Sequence, residues 1–238
     1  MSTPYPPPRA DAPLVGCDFG HTLDGGGSGS RLFAWMIRRS RLRVLVALLA
    51  TPLLGPMVAW LPTRRRGISG YVWIGSFGVH RARELDQVID RYVAAHRGQI
   101  QARLLPVALE VLAGHRARGD RVVVATGAPP ELARSILDFA GHGDVPVIGT
   151  AVGPRLGAMV ATRHCHHEEK MRMLRERGYG DIEVAYSDSS ADLPLLRAAR
   201  RPVVVNPKPG RVEYFRRVLP AGTPILNWGC QDRAGDRP

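Results

Sequence analysis

Four short stretches of this chain carry side chains that could share one reaction. VGCDFGHTL delivers Asp18 to the end of an apolar run, and VVVAT ends on Thr126. Lys170 follows TRHCHHEE at the opening of a helical pattern, and YSDSSAD carries Asp188 and Asp192. A carboxylate nucleophile, a hydroxyl, a lysine and a pair of acids suit phosphoryl transfer through an aspartyl-phosphate. Asp18 would attack phosphorus, and Asp188 would join it in holding Mg²⁺, a hard cation that prefers oxygen ligands. Thr126 and Lys170 would hold the transferring oxygens and neutralise their charge. Singly, each residue has a plainer use: Asp18 and Thr126-Gly127 as turn chemistry, Asp188 and Asp192 as helix caps. Lys170 resists that reading, because Lys208 is the only other lysine in the chain.

Elements must bring these residues together. PLVGCDF, DRVVVAT, IEVAYS and RPVVVNP read as buried strands, each followed by a turn and, after the second and third, a helical pattern. Further β-rich runs lie at 145–152 and 158–162, and TPILNW reads as a last strand. Pro129-Pro130 opens one helix, and others cover 106–118 and the stretch around Met171 and Leu174. Strand–turn–helix repetition predicts an α/β fold, a Rossmann-like parallel sheet with helices on both faces. Ligands of such sheets bind at the carboxyl ends of the strands, where Asp18, Thr126 and Ser187-Asp188 fall.

The pattern breaks after the first strand. Residues 28–103 are helical in pattern, with Leu85, Val88, Ile89, Tyr92 and Val93 on one stripe, and read as a cap inserted into a core of 13–27 and 104–228. Inside the cap, 44–61 holds no charge and is flanked by Arg38, Arg39, Arg41 and Arg43 before and Arg64, Arg65 and Arg66 after. As a helix it would reach about 27 Å, close to the thickness of bilayer hydrocarbon. Pro52, Gly55 and Pro56 in its middle, and arginines on both flanks, argue against crossing. A bent hairpin dipping into the cytoplasmic leaflet satisfies both facts, with Val44, Leu48, Leu53 and Trp60 as lipid contacts. The alternative is a helical pair packed inside a soluble cap.

Totals bound the partners. Of 238 residues, 33 are Lys or Arg and 21 Asp or Glu, a net charge of +12, which favours a polyanion: a phosphorylated substrate, an anionic membrane surface or nucleic acid. No aromatic-interleaved basic platform accompanies the arginines, so nucleic acid is not expected. Three scattered cysteines exclude a disulfide framework. HCHH at 164–167 is too compact for a tetrahedral zinc set, and GGGSGS at 25–30 reads as a linker. Residues 1–12 and 229–238 read as disordered tails. Oligomeric state leaves no signal.

The four stretches resemble the four motifs of the haloacid dehalogenase-like hydrolase superfamily, in its phosphoserine phosphatase-type branch. More closely, the Arg-flanked apolar run, WIGSFGVHRARE, ATGAPPEL, TRHCHHEEK and AYSDSSADLPLL resemble the bacterial phosphatidylglycerophosphatase C family. The likeness spans about residues 13–228. It implies a phosphatase using Mg²⁺, with Asp18 as nucleophile, Thr126 and Lys170 on the phosphoryl group, and Asp188 on the metal. Asp192 would support Lys170, with Ser189 and Gly127 as further supporting positions. The metal would also take the backbone carbonyl of Gly20, and a carbonyl survives any side-chain change. A phosphorylated lipid at the cytoplasmic face of the inner membrane is the implied substrate; a soluble phosphomonoester in the cytoplasm is the alternative.

One position departs from the family. Where its phosphatases carry a second aspartate, the general acid and base, this chain has Gly20, followed by His21. Losing such a group slows turnover on the order of 10²–10⁴. Three outcomes stay open: His21 supplies the proton, the substrate needs no such help, or the site binds phosphate and turns over slowly or not at all, as a catalytically weakened phospholipid-binding homologue would.

Overall fold

The computed structural model describes residues 5–230 apart from positions 10 and 61. Strand β1 (Leu14–Asp18) leads into helices α1 (Ser28–Arg38), α2 (Arg41–Ala59), α3 (Arg64–Ser76), α4 (Ala82–Ala95), α5 (Arg97–Gln101) and α6 (Pro106–Ala117). Then come β2 (Arg121–Thr126), α7 (Pro130–Phe139), β3 (Val147–Gly149), β4 (Ala151–Arg155), β5 (Ala158–Arg163) and α8 (Glu168–Arg175). The chain closes with β6 (Ile182–Ser187), α9 (Leu193–Ala198), β7 (Ala199–Val205), α10 (Val212–Val218) and β8 (Ile225–Leu226).

Six strands form one parallel sheet in the order β3-β2-β1-β6-β7-β8. Alternation splits its side chains between two cores. Val15, Cys17, Val122 and Val124 face one core with α6 and α7, whereas Leu14, Val123, Ala125 and Ile182 face another with α8, α9 and α10. Burial on both faces explains why these strands read as unbroken apolar runs. The chain leaves β1 toward β2 and β3 on one side and later returns to β6 on the other, so β1 sits at the switch point where such sheets bind ligands. Register then sets the rim: Asp18 lies opposite Ala125, one residue before Thr126, and Cys17 lies opposite Tyr186, one residue before Ser187.

The β-rich run over 145–152 divides between two sheets. Residues 147–149 join the sheet, while β4 turns away to pair antiparallel with β5. Helices α1 to α5 occupy the insertion between β1 and β2. Its two crossings into the core are stitched together: Arg103 donates to Asp24 Oδ2 at 3.3 Å, Gly25 N–H to the Arg103 carbonyl, and Leu105 N–H to the Leu23 carbonyl.

The expected bend within 44–61 is not what forms. Residues 41–59 are one continuous helix, and the hairpin consists of α2 turning back into α3. Pro52 and Pro56 each remove an N–H donor and crowd the carbonyl four residues back, and both lie on the exposed side of α2. Close packing by α3 holds the helix along its length. Gly67 lies against Val58 and Leu54, and Gly70 against Leu54; a Cβ on Gly67 would sit 2.8 Å from the Val58 backbone nitrogen. Thr51 Oγ1 and Tyr71 Oη add a hydrogen bond at 3.0 Å across the pair. Gly67→Ala should therefore part the two helices and lower stability by roughly 1–3 kcal/mol, read as a fall in denaturation midpoint. Gly98→Ala, whose Cβ meets nothing within 4 Å, is the control.

The lead-in expected to be disordered is partly anchored. Tyr5 stacks on His142 with the Arg116 guanidinium 4.0 Å over its ring, a cation–π contact, and Ala12 is buried. At the other end Trp228 and Cys230 are buried. Residues 1–4, 10 and 231–238 of the two expected tails, and Leu61 of the apolar run, lie outside the described residues.

Candidate active site

Asp18, Thr126, Asp188 and Asp192 all lie at the carboxyl rim of the sheet, and all are buried. Lys170 reaches them from the first turn of α8. Its Nζ stands 2.7 Å from Asp18 Oδ1 and 2.7 Å from Asp192 Oδ1, in a side chain only 1% exposed. Ser187 Oγ donates to the other oxygen of Asp192 at 2.8 Å, so that carboxylate is held from both sides. Ser189 accepts from Ala191 N–H and caps the 3-10 turn Ser190–Asp192 that carries Asp192. Thr126 Oγ1 accepts from Ala128 N–H at 3.1 Å, leaving its own proton for a ligand.

Acids crowd this rim. Three buried carboxylates (Asp18, Asp188 and Asp192) gather at one rim, and Lys170 pairs with two of them. Burial raises the Asp18 carboxyl above the usual carboxylate range, and Asp192 and Asp188 push it further, against the pull of Lys170. Burial alone would lower Lys170, but Asp18 and Asp192 raise it well above an ordinary lysine, so its charge is fixed. A rim so rich in carboxylate oxygen suits a dication. Asp18, Asp188 and the Gly20 carbonyl are all hard oxygen donors, the set that Mg²⁺ prefers. Among the described residues, no group of three or more His, Cys, Asp or Glu side chains is placed to hold a metal, the HCHH run included.

Gly20 and His21 stand beside this rim. A Cβ on Gly20 would meet nothing within 4 Å, so the place of the missing carboxylate is open space. His21 adopts φ 58, its Nδ1 lies 3.9 Å from Asp188 Oδ2, and its ring sits directly on Gly26, where a Cβ would be 2.1 Å from Nε2. Asn206, at the end of β7, fixes the turn: its Nδ2 donates to the His21 carbonyl at 2.8 Å, and its Oδ1 accepts from Trp228 N–H.

Three residues of the site escape a reading by motif. Thr150 Oγ1 donates to the Gly127 carbonyl at 2.7 Å and accepts from Cys165 N–H at 3.1 Å, tying the Thr126 turn to the turn before α8. His166 packs on Gly127, where a Cβ would lie 2.6 Å from its Nε2. Asn206 is the third. The available signals were a polar residue closing each strand and a histidine one helical turn before Lys170. Burial first, then Lys170, pushes His166 down to about 4, so it is neutral at pH 7. A depressed histidine refuses a proton that the unfolded chain accepts; its stabilising contribution is full above about pH 6.5 and lost as pH falls toward 4. His166→Gln should flatten the fall of melting temperature between pH 6.5 and 4.5.

A cleft of about 990 Å³ lies at the opposite end of the strands, lined by Pro13, His115, Arg118, Arg201 and Pro224. It shares no residue with the carboxyl rim.

A family model described as haloacid dehalogenase-like hydrolase matches residues 15–197. A protein of unknown function from Bordetella pertussis Tohama I is similar in structure, with a TM-score of 0.71 and 23% identity, covering 91% of this chain and 99% of that one. Cytosolic 5'-nucleotidase IIIB, solved bound to cytidine, gives 0.59 and 13%, covering 90% and 79%. A phosphoserine phosphatase solved as a phospho-aspartyl intermediate analogue gives 0.52 and 15%, covering 91% and 93%. These likenesses are of fold. No curated protein sequence matches the chain.

Proposed function

Because the chain belongs to the haloacid dehalogenase-like hydrolase family, we propose that it is a Mg²⁺-dependent phosphatase that cleaves phosphomonoesters through Asp18. The observation that carries this reading is the buried Asp18–Lys170–Asp192 array at the strand-end rim, with Thr126 beside it. The Asp18 carboxylate attacks phosphorus and the ester P–O bond breaks, so the alcohol leaves with a proton taken from water or His21; water then attacks the aspartyl-phosphate, releasing inorganic phosphate and restoring Asp18. Lys170 and Thr126 hold the transferring oxygens. Asp188, Asp18 and the Gly20 carbonyl would hold Mg²⁺, which when bound neutralises charge on the phosphoryl group.

The substrate in this reading is a phosphorylated lipid such as phosphatidylglycerophosphate, as in the phosphatidylglycerophosphatase C family, met at the cytoplasmic face of a bacterial inner membrane. Helix α2 supports it. By length and composition it could cross a membrane, with mean hydropathy 1.9 and only 6% of its apolar window buried. Leu42, Leu45, Leu49, Leu53 and Trp60 form an exposed apolar stripe at helical spacing, with Leu48 beside it and Val44 half-buried. The excess of arginine suits an anionic surface.

The test has two arms. Phosphate release is measured on lipid and soluble phosphomonoesters with and without Mg²⁺, and flotation on anionic and uncharged vesicles. Release should need Mg²⁺ and Asp18 and favour the lipid. Leu49→Glu with Leu53→Glu should cut flotation about tenfold or more, given the charge now placed on the apolar face. Release from Asp18→Asn at the wild-type rate would sink the mechanism; flotation unchanged by the glutamates would sink the lipid surface. Gly20 favours a second reading, a slow enzyme that holds a phosphorylated lipid more than it turns it over.

A further inference from the structure

Away from the strand-end rim, three arginines converge where the helices of the insertion meet. A pocket of about 320 Å³ opens between the end of α1, the start of α2 and helix α4, and Arg39, Arg43 and Arg91 line it together. Buried Met36 and Val79 supply its apolar lining. Each guanidinium is held by a neutral group. Arg43 donates from one nitrogen to the Met36 carbonyl at 3.1 Å and from another to the Phe77 carbonyl at 2.6 Å. Arg91 Nε donates to the Gln87 carbonyl at 3.1 Å, and the Arg39 guanidinium lies 4.8 Å over the Trp35 ring. Among the described residues no carboxylate forms an ion pair with any of the three, whereas Arg103, Arg116 and Arg163 each have one.

Three like charges around one pocket repel one another until an anion enters. The helix end adds to that field. Ser40, the N-cap of α2, lines the same pocket, and the first turn of α2 carries no acid, so the positive end of its dipole borders the pocket. The neighbourhood points to the source of the anion. Leu42, next to Arg43 in the first turn of α2, begins the exposed apolar stripe that continues through Leu45, Leu49 and Leu53. A helix whose stripe enters the acyl region keeps its flanking cations at headgroup level.

We infer that Arg39, Arg43 and Arg91 form a headgroup pocket that seats the phosphate of an anionic phospholipid, at a site separate from the strand-end rim. A phosphodiester suffices as ligand, because nothing here reacts with it and the forked guanidinium donors match its oxygens. Seated there, the headgroup pins the foot of α2 to the interface. The inference takes from the proposed function only that α2 meets a membrane, and it holds whether or not the chain turns over a phosphate ester.

Flotation of the full-length protein tests it. Phosphatidylinositol is the probe lipid, since its one charge is a phosphodiester that no phosphomonoesterase removes; vesicles of phosphatidylcholine with and without it are compared. Arg39→Gln and Arg91→Gln, both at exposed positions, should each lower affinity for the phosphatidylinositol vesicles about tenfold and leave binding to phosphatidylcholine alone unchanged. Together they should lose little more than either alone, since one phosphate links both. Arg38→Gln removes the same charge from an exposed arginine outside the pocket and should lose about fivefold or less, the scale of diffuse attraction. Equal losses at all three positions, multiplying on combination, would reduce the pocket to a diffuse basic patch and overturn it. Calorimetry with inorganic phosphate is the second arm: binding lost in Arg91→Gln, with flotation unaffected, would give the pocket to free phosphate and overturn the lipid. Flotation on phosphatidylcholine with no gain from phosphatidylinositol would overturn the headgroup pocket alone. No flotation of the wild type on either vesicle would remove the membrane reading and the headgroup pocket with it, leaving the phosphatase reading to phosphate release.

Discussion

Gly20→Asp is expected to raise the rate of phosphate release by about 10²-fold or more, the scale of a missing general acid and base. The structure leaves room for that gain. The position of a Cβ on Gly20 is empty to 4 Å, and its backbone is outside the left-handed region, so an aspartate enters without strain. It would stand on the turn two residues after Asp18. The measurement is steady-state release at pH 7 with Mg²⁺, wild type against Gly20→Asp, with Asp18→Asn added to each as the blank. His21 is the rival proton donor, with Nδ1 3.9 Å from Asp188 and its ring seated on Gly26. If His21 already does this work, Gly20→Asp gains less than about tenfold and His21→Asn loses what the glycine did not. A folded, phosphate-binding Gly20→Asp protein with no gain, beside an inert His21→Asn change, would remove acid–base assistance from this turn.

Lys170→Met should be the most damaging single change in the core. The lysine is 1% exposed and its ammonium serves two carboxylates at 2.7 Å each. Removing one partner of a buried ion pair costs about 3–5 kcal/mol, because the other charge stays behind without compensation. Here two carboxylates stay behind, with Asp188 close by. The Asp18 carboxyl, already raised by burial, rises further when the lysine is gone. A carboxyl raised above its unfolded value stabilises the fold while protonated and ceases to as pH climbs through the folded pKa. The deficit relative to wild type should therefore be largest at pH 7–8 and shrink toward pH 4, and divalent cation should narrow it at neutral pH. Thermal denaturation across that range decides it. A deficit under about 1 kcal/mol, flat in pH, would mean that the array carries no such tension. Turnover should be lost in either case.

Much of the frame was legible in the chain because its signals are local. An apolar run ending in a polar residue marks a strand end, and in a parallel sheet the strand ends make one rim; hence Asp18, Thr126 and Asp188 could be placed together before any coordinates. Lys170 was legible by rarity and by its place at a helix start. What sequence could not give is contact across elements. Thr150 links two turns through a hydroxyl, Asn206 reaches from β7 to the His21 carbonyl, and His166 lies on Gly127. None of these pairs is near in the chain. The apolar run shows the opposite limit. Two prolines and a glycine suggested a bend, but helix α3, with its own glycines at the crossing, keeps α2 whole. Neighbours outvoted local propensity.

The insertion after β1 also fixes an order of events during synthesis. A chain emerging from the ribosome releases α2 before β2 and long before β6, the two strands that must flank Asp18. The nascent protein therefore presents its barest greasy helix at a time when Asp18 has no strand on either side. On the proposed membrane reading, capture of that helix comes first and the strand-end rim closes afterwards.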